Sequence, residues 1–283
     1  MIPVYVLGPE GSNGHEVAVR QFGDQADIDF VFCKTNASIL EQVEGTPNSY
    51  GVVPVENACA GFIGDVIKFW LKGQRDTKIV GQYLLPVTHM LMVHPSHNPS
   101  TPISRVFSHE QALSQCADTL SELGIREREK ISSTSAAAAY VRDHPGEPIA
   151  AIAAPLAREL YGLKPIHENI ADSMENATRF HIIANQMPLP VPTGNDRTAI
   201  LFELLNHAGA LCQVITPIAR YHVNMAVIHS VQLGRPDAHA FYLEFDAHQA
   251  DREGELILKS LQELTTHLQV LGSFPRTNCE RKG

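Results

Sequence analysis

The chain has 283 residues, enough for two compact domains or for one large domain with a small one. Hydrophobic residues make up 44% and charged residues 19%, which is typical of a globular chain and excludes disordered and collagen-like chains. The net charge of −9 repels phosphate backbones, so we expect no nucleic-acid partner.

Cysteine usage and the first residues indicate a reducing compartment. The cysteines lie far apart, form no C-x-x-C pair and are odd in number, so we expect neither a zinc site nor a disulfide framework; they are Cys33, Cys59, Cys116, Cys212 and Cys279. The chain opens without the basic segment of a signal peptide and has no apolar run of about 18 residues. We therefore expect a cytoplasmic protein with no membrane partner.

Short β-rich runs alternate with helical patterns over the first part of the chain. The predicted strands are 4–7, 28–33, 50–55, 103–107 and 149–152, and the predicted helices are 15–22, 38–42, 64–71, 110–123, 135–142 and 155–161. An extended stretch at 80–92 interrupts this alternation and is expected to carry the chain from one lobe to another. A late strand is predicted at 181–184. The pattern predicts an α/β protein with mostly parallel sheets.

Three prolines within residues 185–195 forbid both a helix and a central strand, so this segment is the predicted linker. After it we predict strands at 198–205, 224–232, 240–245 and 268–271, a turn at 234–237, and helices at 208–221 and 253–266. Their order is βαββαβ, the ferredoxin-like split βαβ. A small sheet of this kind has exposed edges that favour pairing with a second copy, as a homodimer or homotetramer.

Several polar groups stand where predicted strands or turns meet helices. The glycine-rich turn at 8–14 contains Ser12 and opens a helix, so it is either an ordinary tight turn or an anion site; its spacing is not that of a dinucleotide fingerprint. Glu56 and Asn57 end a buried strand, where α/β sheets place ligand groups or a capped turn. Ser133 and Thr134 begin a helix, as a cap or as ligand hydroxyls.

The segment from Asn176 to Phe180 places a polar triplet before an apolar strand. Thr178 offers a compact hydroxyl donor and Phe180 an apolar wall. Arg179 offers a fork that binds a substrate carboxylate or, alternatively, locks the strand to neighbouring acids. We predict that this segment contributes to a ligand site.

The motifs, taken in order, resemble the prephenate dehydratase family over essentially the whole chain. The matching segments are LGPEG at 7–11, VPVEN at 53–57, SHEQAL at 108–113, Ser133 with Thr134, AAIAAPLARELYGL at 150–163, NIAD at 169–172 and NATRF at 176–180. Residues 196–278, with GAL at 209–211 and VLGSFP at 270–275, resemble the regulatory ACT domain of that family. Since the first motif starts at Leu7, we expect no chorismate mutase domain ahead of it.

The resemblance implies a fold and a reaction. It implies a two-lobed catalytic domain at 1–187 like a type II periplasmic binding protein, with lobe one at about 1–80 and 170–187 and lobe two at about 81–169. The implied reaction converts prephenate to phenylpyruvate in phenylalanine biosynthesis, with loss of carbon dioxide and water and without a cofactor or metal. Thr178 is the implied catalytic residue, as a hydrogen-bond donor to the departing oxygen. Ser12, Glu56, Asn57, Ser133, Thr134, Arg179 and Phe180 are the expected substrate-binding residues.

Departures from the family pattern leave alternatives open. The family's regulatory E-S-R-P segment reads His229-Ser230-Val231-Gln232 here, so with Gly209, Ala210 and Leu211 it forms a degenerate effector site, and we expect phenylalanine or another amino acid to be a weak effector at most. Gly11 is followed by Ser12-Asn13-Gly14 in place of T-F-S, which alters the cleft. The alternative functions are a non-aromatising prephenate decarboxylase and a non-catalytic sensor of small molecules. A dehydratase that also accepts arogenate is a variant of the implied prephenate dehydratase.

Overall fold

The computed structural model describes residues 1–73, 75–173, 176–233 and 239–276. The first elements in chain order are β1 (Ile2–Leu7), α1 (Asn13–Phe22), β2 (Ile28–Cys33), α2 (Asn36–Gly45), β3 (Ser49–Asn57), β4 (Gly61–Phe62), α3 (Asp65–Trp70) and β5 (Lys78–Pro86). The next are β6 (Met90–Val93), β7 (Arg105–Ser108), α4 (Glu110–Gln115), α5 (Ala117–Glu122), β8 (Glu127–Lys130), α6 (Thr134–Arg142), β9 (Ile149–Ala153), α7 (Pro155–Tyr161), β10 (Lys164–His167) and β11 (Ala177–Asn185). The last are β12 (Asp196–Glu203), α8 (Ala210–Arg220), β13 (Met225–Gln232), β14 (His239–Phe245), α9 (Arg252–Leu264) and β15 (His267–Pro275).

The first two sheets form two lobes of similar design. The sheet of lobe one has the order β2-β1-β3-β11-β5, with β4 beside β3, and that of lobe two has the order β10-β6-β9-β7-β8. Each sheet has three neighbouring parallel strands with an antiparallel strand beside them, β11 in lobe one and β6 in lobe two. Each of these antiparallel strands begins directly after the chain has crossed between the lobes. The two-lobed α/β class implied by the family resemblance is confirmed.

The crossover between the lobes lies later in the chain than predicted. Strand β5 belongs entirely to the first sheet, so the chain leaves lobe one after Pro86 and not near residue 80. At the crossover the N–H of Val87 donates to the carbonyl of Asn176, and the N–H of Ile170 donates to the carbonyl of His89. These bonds hold the outgoing and returning segments side by side.

Two predicted elements have different boundaries in the structure. The helix predicted at 110–123 is divided at Cys116, whose φ of −120° is not helical. The strand predicted at 181–184 begins at Ala177, so Thr178, Arg179 and Phe180 are themselves strand residues. Because successive side chains of a strand point to opposite faces, this change decides where those three side chains lie.

The third unit has the ferredoxin-like order β12-α8-β13-β14-α9-β15 and the sheet order β13-β14-β12-β15. The predicted turn at 234–237 and the last residues of the predicted domain, 277 and 278, lie outside the described residues. Ile200 and Phe202 pack with helices α8 and α9 on one face of the sheet. Ala199 and Leu201 point to the other face, which shares a hydrophobic core with lobe one.

The third sheet lies very close to lobe one along β15 and β5. A Cβ added at Gly272 would lie 2.0 Å from the carbonyl oxygen of Ile79, so only a glycine permits this backbone contact. The side-chain ammonium of Lys78 donates to the carbonyl of Val270 at 3.2 Å. None of the described helices is long and apolar enough to cross a bilayer.

Candidate active site

A cavity of about 490 Å³ lies between the two lobes at the crossover. Lobe one contributes the turn before α1, the end of β3 and the start of β11. Lobe two contributes the starts of α4 and α6, and the crossover contributes Val87 and His89. Of the predicted site residues, six line this cavity: Ser12, Asn57, Ser133, Thr134, Thr178 and Phe180.

Two of the serines at the cavity, Ser12 and Ser133, cap the helices that begin there. The Ser12 hydroxyl accepts from the N–H of His15 at 3.2 Å and donates to the carbonyl of Leu7 at 2.6 Å, which ties the start of α1 to the end of β1. Ser133 caps α6 by accepting from the N–H of Ala136 at 3.0 Å. Both helices therefore begin at the cavity, where their first N–H groups have no partner within the helix and favour an anion.

A β-bulge in β3 aims the end of that strand at the cavity. Arg179 pairs with Glu56, but the next residue of β11, Phe180, pairs with Pro54, so Val55 is the extra residue. The bulge resets the alternation, and Pro54 and Asn57 both face the cavity although three positions separate them. On β11, Thr178 and Phe180 face the same cavity by ordinary alternation.

The carboxamide of Asn57 is held in one orientation by the backbone. Its Oδ1 accepts from the N–H groups of Cys59 at 3.1 Å and Ala60 at 2.9 Å, which makes Nδ2 the donor on its other side. Nδ2 donates to Thr178 Oγ1 at 2.9 Å and to Asn176 Oδ1 at 3.0 Å. Among the described residues no acceptor takes the hydroxyl proton of Thr178, so that proton is free to be donated into the cavity.

The same direction of donation continues across the lobe boundary. Since Asn176 accepts through Oδ1, its Nδ2 donates to Gln115 Oε1 at 3.1 Å. The same Gln115 oxygen lies 2.8 Å from His89 Nε2, so this nitrogen carries the proton. Burial lowers the pKa of His89, which keeps the ring neutral. This network fixes one tautomer of His89 and joins α4 of lobe two to β3 and β11 of lobe one.

The structure corrects the prediction for Glu56 and Arg179, neither of which lines the cavity. Their side chains lie on the opposite face of the lobe-one sheet. Arg179 donates from Nη1 to both carboxylate oxygens of Glu244 on β14, at 2.7 and 2.8 Å, and its Nη2 lies 3.2 Å from Glu56 Oε2. The alternative in which Arg179 locks the strand to neighbouring acids is therefore the one the structure shows.

Glu244 is the centre of this ion cluster and is fully buried. Burial alone would raise the pKa of its carboxyl group, but His181 and the guanidinium of Arg179 outweigh that effect and hold the pKa well below its usual range. Arg197 adds a second guanidinium at 3.2 Å from Glu244. The cluster joins the strand that bears Thr178 to the third unit.

The predicted regulatory residues do not share one cavity within a single described chain. Ala210 lines a small cavity of about 120 Å³ between the start of α8 and the end of α9, whereas Gly209, Leu211, His229 and Ser230 do not. Gly209 precedes α8 with φ of 84°. The ring of His229 stacks on Phe62 of lobe one, with 3.8 Å between the ring centroids. The degenerate segment therefore packs against lobe one.

Sequence reasoning missed Gln115, His89, Asn176 and Lys34, all of which line the cavity. Gln115 carried no signal of its own, because it is one of several polar residues in the helical run 110–123. Asn176 stands in a segment already identified. His89 lies in the extended stretch and Lys34 just after a strand, and neither position has a periodicity that separates it from a surface residue.

The fold and the cavity define a two-lobed α/β protein with a cleft between its lobes, joined to a ferredoxin-like unit. The prephenate dehydratase family model matches residues 4–188. A bifunctional chorismate mutase/prephenate dehydratase of Aquifex aeolicus is 33% identical over 97% of this chain and 74% of that protein. The chain belongs to the prephenate dehydratase family.

Two solved structures are similar over nearly the whole chain. The prephenate dehydratase of Arthrobacter aurescens, in complex with L-Phe, has a TM-score of 0.84 and 29% identity, covering 97% of this chain and 90% of that one. A protein described as GqqA, a novel type of quorum quenching acylase, has a TM-score of 0.86 and 25% identity, covering 99% of this chain and 100% of that one.

Proposed function

We infer that this chain is a lyase that converts prephenate to phenylpyruvate in the biosynthesis of phenylalanine. Membership of the prephenate dehydratase family and the likeness to relatives named for that activity support this function. The observation that carries it is the free hydroxyl proton of Thr178, which the fixed carboxamide of Asn57 leaves available inside the cavity.

The reaction needs little covalent chemistry from the protein. The bond from the ring to its carboxylate breaks, the electron pair enters the ring, and the bond from the ring to the hydroxyl oxygen breaks, giving carbon dioxide, phenylpyruvate and hydroxide. The hydroxide takes up one proton to become water. Aromatisation of the ring favours the products, so the protein has to orient the substrate and stabilise the departing oxygen.

Thr178 supplies that stabilisation as a neutral hydrogen-bond donor. A threonine hydroxyl is too weak an acid to transfer its proton outright at neutral pH, but it can donate to an oxygen that gains negative charge as it leaves. One such donor contributes about 3 kcal/mol in acyl-transfer enzymes, where its loss lowers kcat by roughly a hundredfold or more.

The test follows the ultraviolet spectrum of prephenate with purified protein. An alkaline-absorbing phenylpyruvate signal is expected; a non-aromatic diene would indicate the decarboxylase, and binding without spectral change would indicate the sensor. Thr178→Ala should lower kcat about a hundredfold with little change in KM, and Thr178→Ser should retain much more activity. Equal kcat in the wild type and Thr178→Ala would remove Thr178 from the mechanism.

An acyl-hydrolysing function is less well supported by the cavity. Such chemistry generally uses a hydroxyl or thiol nucleophile with a base within hydrogen-bond reach. Among the described residues that line the cavity, no serine or threonine hydroxyl is hydrogen-bonded to a histidine ring. A parallel assay with an N-acyl amide serves as a negative control.

We further propose that residues 196–278 act as an ACT-type regulatory and dimerisation domain of a cytoplasmic homodimer or homotetramer, and that phenylalanine binds it weakly at most. His229 stands where the family has an acid and Val231 where it has a cation, and the stacking of His229 on Phe62 engages its ring. Loss of such partners costs on the order of 2–5 kcal/mol. Calorimetric titration with phenylalanine tests this; micromolar binding with inhibition would contradict it.

A further inference from the structure

The cavity has an uneven distribution of charge. Apart from two histidines, the described residues that line it include one ionisable side chain, the exposed Lys34 just after β2. The N–H of Gly8 donates to the carbonyl of Cys33 at 2.9 Å, which places Lys34 beside the turn that leads into α1. In a chain of net charge −9, Lys34 gives the lobe-one side of the cavity a local positive charge.

Lys34 is not engaged by the protein itself. Some other basic side chains of the described ranges have acidic partners, as Arg20 has Glu16 and Lys68 has Asp65. No hydrogen bond or ion pair of the Lys34 ammonium group occurs among the described residues. Arg179, the other cation expected at the substrate, is occupied by Glu244 and Glu56. Lys34 is therefore the cation available to an anionic ligand.

The lobe-two side of the cavity offers neutral donors. Helix α6 begins there, and the hydroxyl of Ser135 in its first turn is buried, lines the cavity and has no hydrogen-bond partner among the described residues. A buried hydroxyl without a partner is costly in a folded protein unless a ligand or water satisfies it. The cavity is thus lined by a cation from lobe one and by neutral hydrogen-bond donors from lobe two.

Prephenate has two carboxylates that the reaction treats differently. The ring carboxylate loses its charge as it leaves as carbon dioxide, so a cation beside it would stabilise the substrate more than the transition state and slow the reaction. The carboxylate of the 2-oxo acid side chain keeps its charge throughout. A cation beside the retained carboxylate strengthens binding of substrate, transition state and product alike.

We propose that Lys34 binds the retained side-chain carboxylate, while the neutral donors at the start of α6 face the ring carboxylate that leaves. This assignment rests on the proposed function. It makes Lys34 a binding residue that sets the orientation of the substrate in the cavity, and it makes phenylpyruvate, which has the same carboxylate, a ligand of the same residue.

The test compares Lys34→Met with Lys34→Arg and with Lys72→Met, a control in which an exposed lysine that does not line the cavity loses the same charge. Steady-state kinetics with prephenate and inhibition by phenylpyruvate are measured for each. Lys34→Met should raise KM about tenfold, as expected for a charge-assisted hydrogen bond at an exposed site, with kcat changed less than about twofold. The inhibition constant of phenylpyruvate should rise by the same factor, and Lys34→Arg should restore both.

Three results would overturn the proposal. One is a lower kcat at unchanged KM in Lys34→Met. Another is a raised KM with an unchanged inhibition constant, which would place Lys34 at the carboxylate that leaves. The third is an equal effect of Lys72→Met. If the wild type does not convert prephenate, the proposed function fails, and calorimetric binding of phenylpyruvate to the same variants still decides whether Lys34 holds a 2-oxo acid carboxylate.

Discussion

Replacement of Arg179 separates a structural role from a substrate-binding role. The Arg179 side chain is 11% exposed and that of Glu244 is 0% exposed, and two short hydrogen bonds join them. Removing one partner of a buried ion pair costs about 3–5 kcal/mol. Because Arg197 still contacts Glu244, we expect Arg179→Met to cost about 3 kcal/mol, the lower end of that range.

For a chain of this size, about 3 kcal/mol corresponds to a fall in Tm of roughly 6 °C. The pair with Glu56 adds little, since that carboxylate is 42% exposed. We expect KM for prephenate to change less than about twofold, because Arg179 does not line the cavity. Arg179→Lys keeps the charge but not the fork geometry, so its Tm should lie between those of the wild type and Arg179→Met.

The assay pairs thermal unfolding with steady-state kinetics on the same preparations. Arg105→Met is a matched control, since Arg105 forms an ion pair with Glu127 between strands β7 and β8 and both side chains are exposed, 45% and 64%. Such an exposed pair contributes less than about 1 kcal/mol, so Tm should change little. A tenfold rise of KM in Arg179→Met at unchanged Tm would refute the structural role.

Two further predictions concern the third unit. Gly272→Ala should lower the free energy of unfolding, measured by urea denaturation, by about 1–3 kcal/mol, because the new Cβ would collide with the backbone of Ile79. Gly64→Ala is the control, since Gly64 has open space around it. Equal denaturation midpoints for the two variants would contradict the close approach of β15 to β5. The free energy of unfolding should fall on acidification below pH 6.5, the ordinary pKa of histidine, because burial lowers the pKa of His181 in the folded state. It should fall further below pH 4.5, because the pKa of Glu244 is also lowered in the folded state. Both groups bind protons more readily unfolded, so a constant stability from pH 7 to pH 4 would be the contrary result.

The sequence predicts the alternation of strands and helices well where the strands are apolar. Strands β8 and β10 were missed because they read EREK and KPIH, with no alternation of apolar and polar residues. Both lie at the edges of the lobe-two sheet, where charged residues are tolerated. Edge strands of this kind are defined by their neighbours and not by their own residue pattern.

The sequence predicts which segments form the candidate site, but not which face of each strand meets the ligand. Thr178 and Arg179 are adjacent, so strand geometry requires that they point to opposite sides, but it does not say which side meets the ligand. That choice depends on Glu244, which lies 65 residues further along the chain. The bulge at Val55 is equally invisible in the sequence, and it decides that Asn57 and not Glu56 reaches the cavity.

The ion cluster around Glu244 has a consequence for how the chain can be divided. Residues 1–187 contain every residue that lines the cavity, yet the reverse side of their catalytic strand is covered by the third sheet. Expressed alone, this part would expose the apolar face that now packs against Leu201 and Phe274 and would leave the guanidinium of Arg179 without its buried partner. A truncated enzyme would therefore be prone to aggregate. A loss of activity on truncation would then result from the loss of the shared hydrophobic core and not from the loss of an effector site.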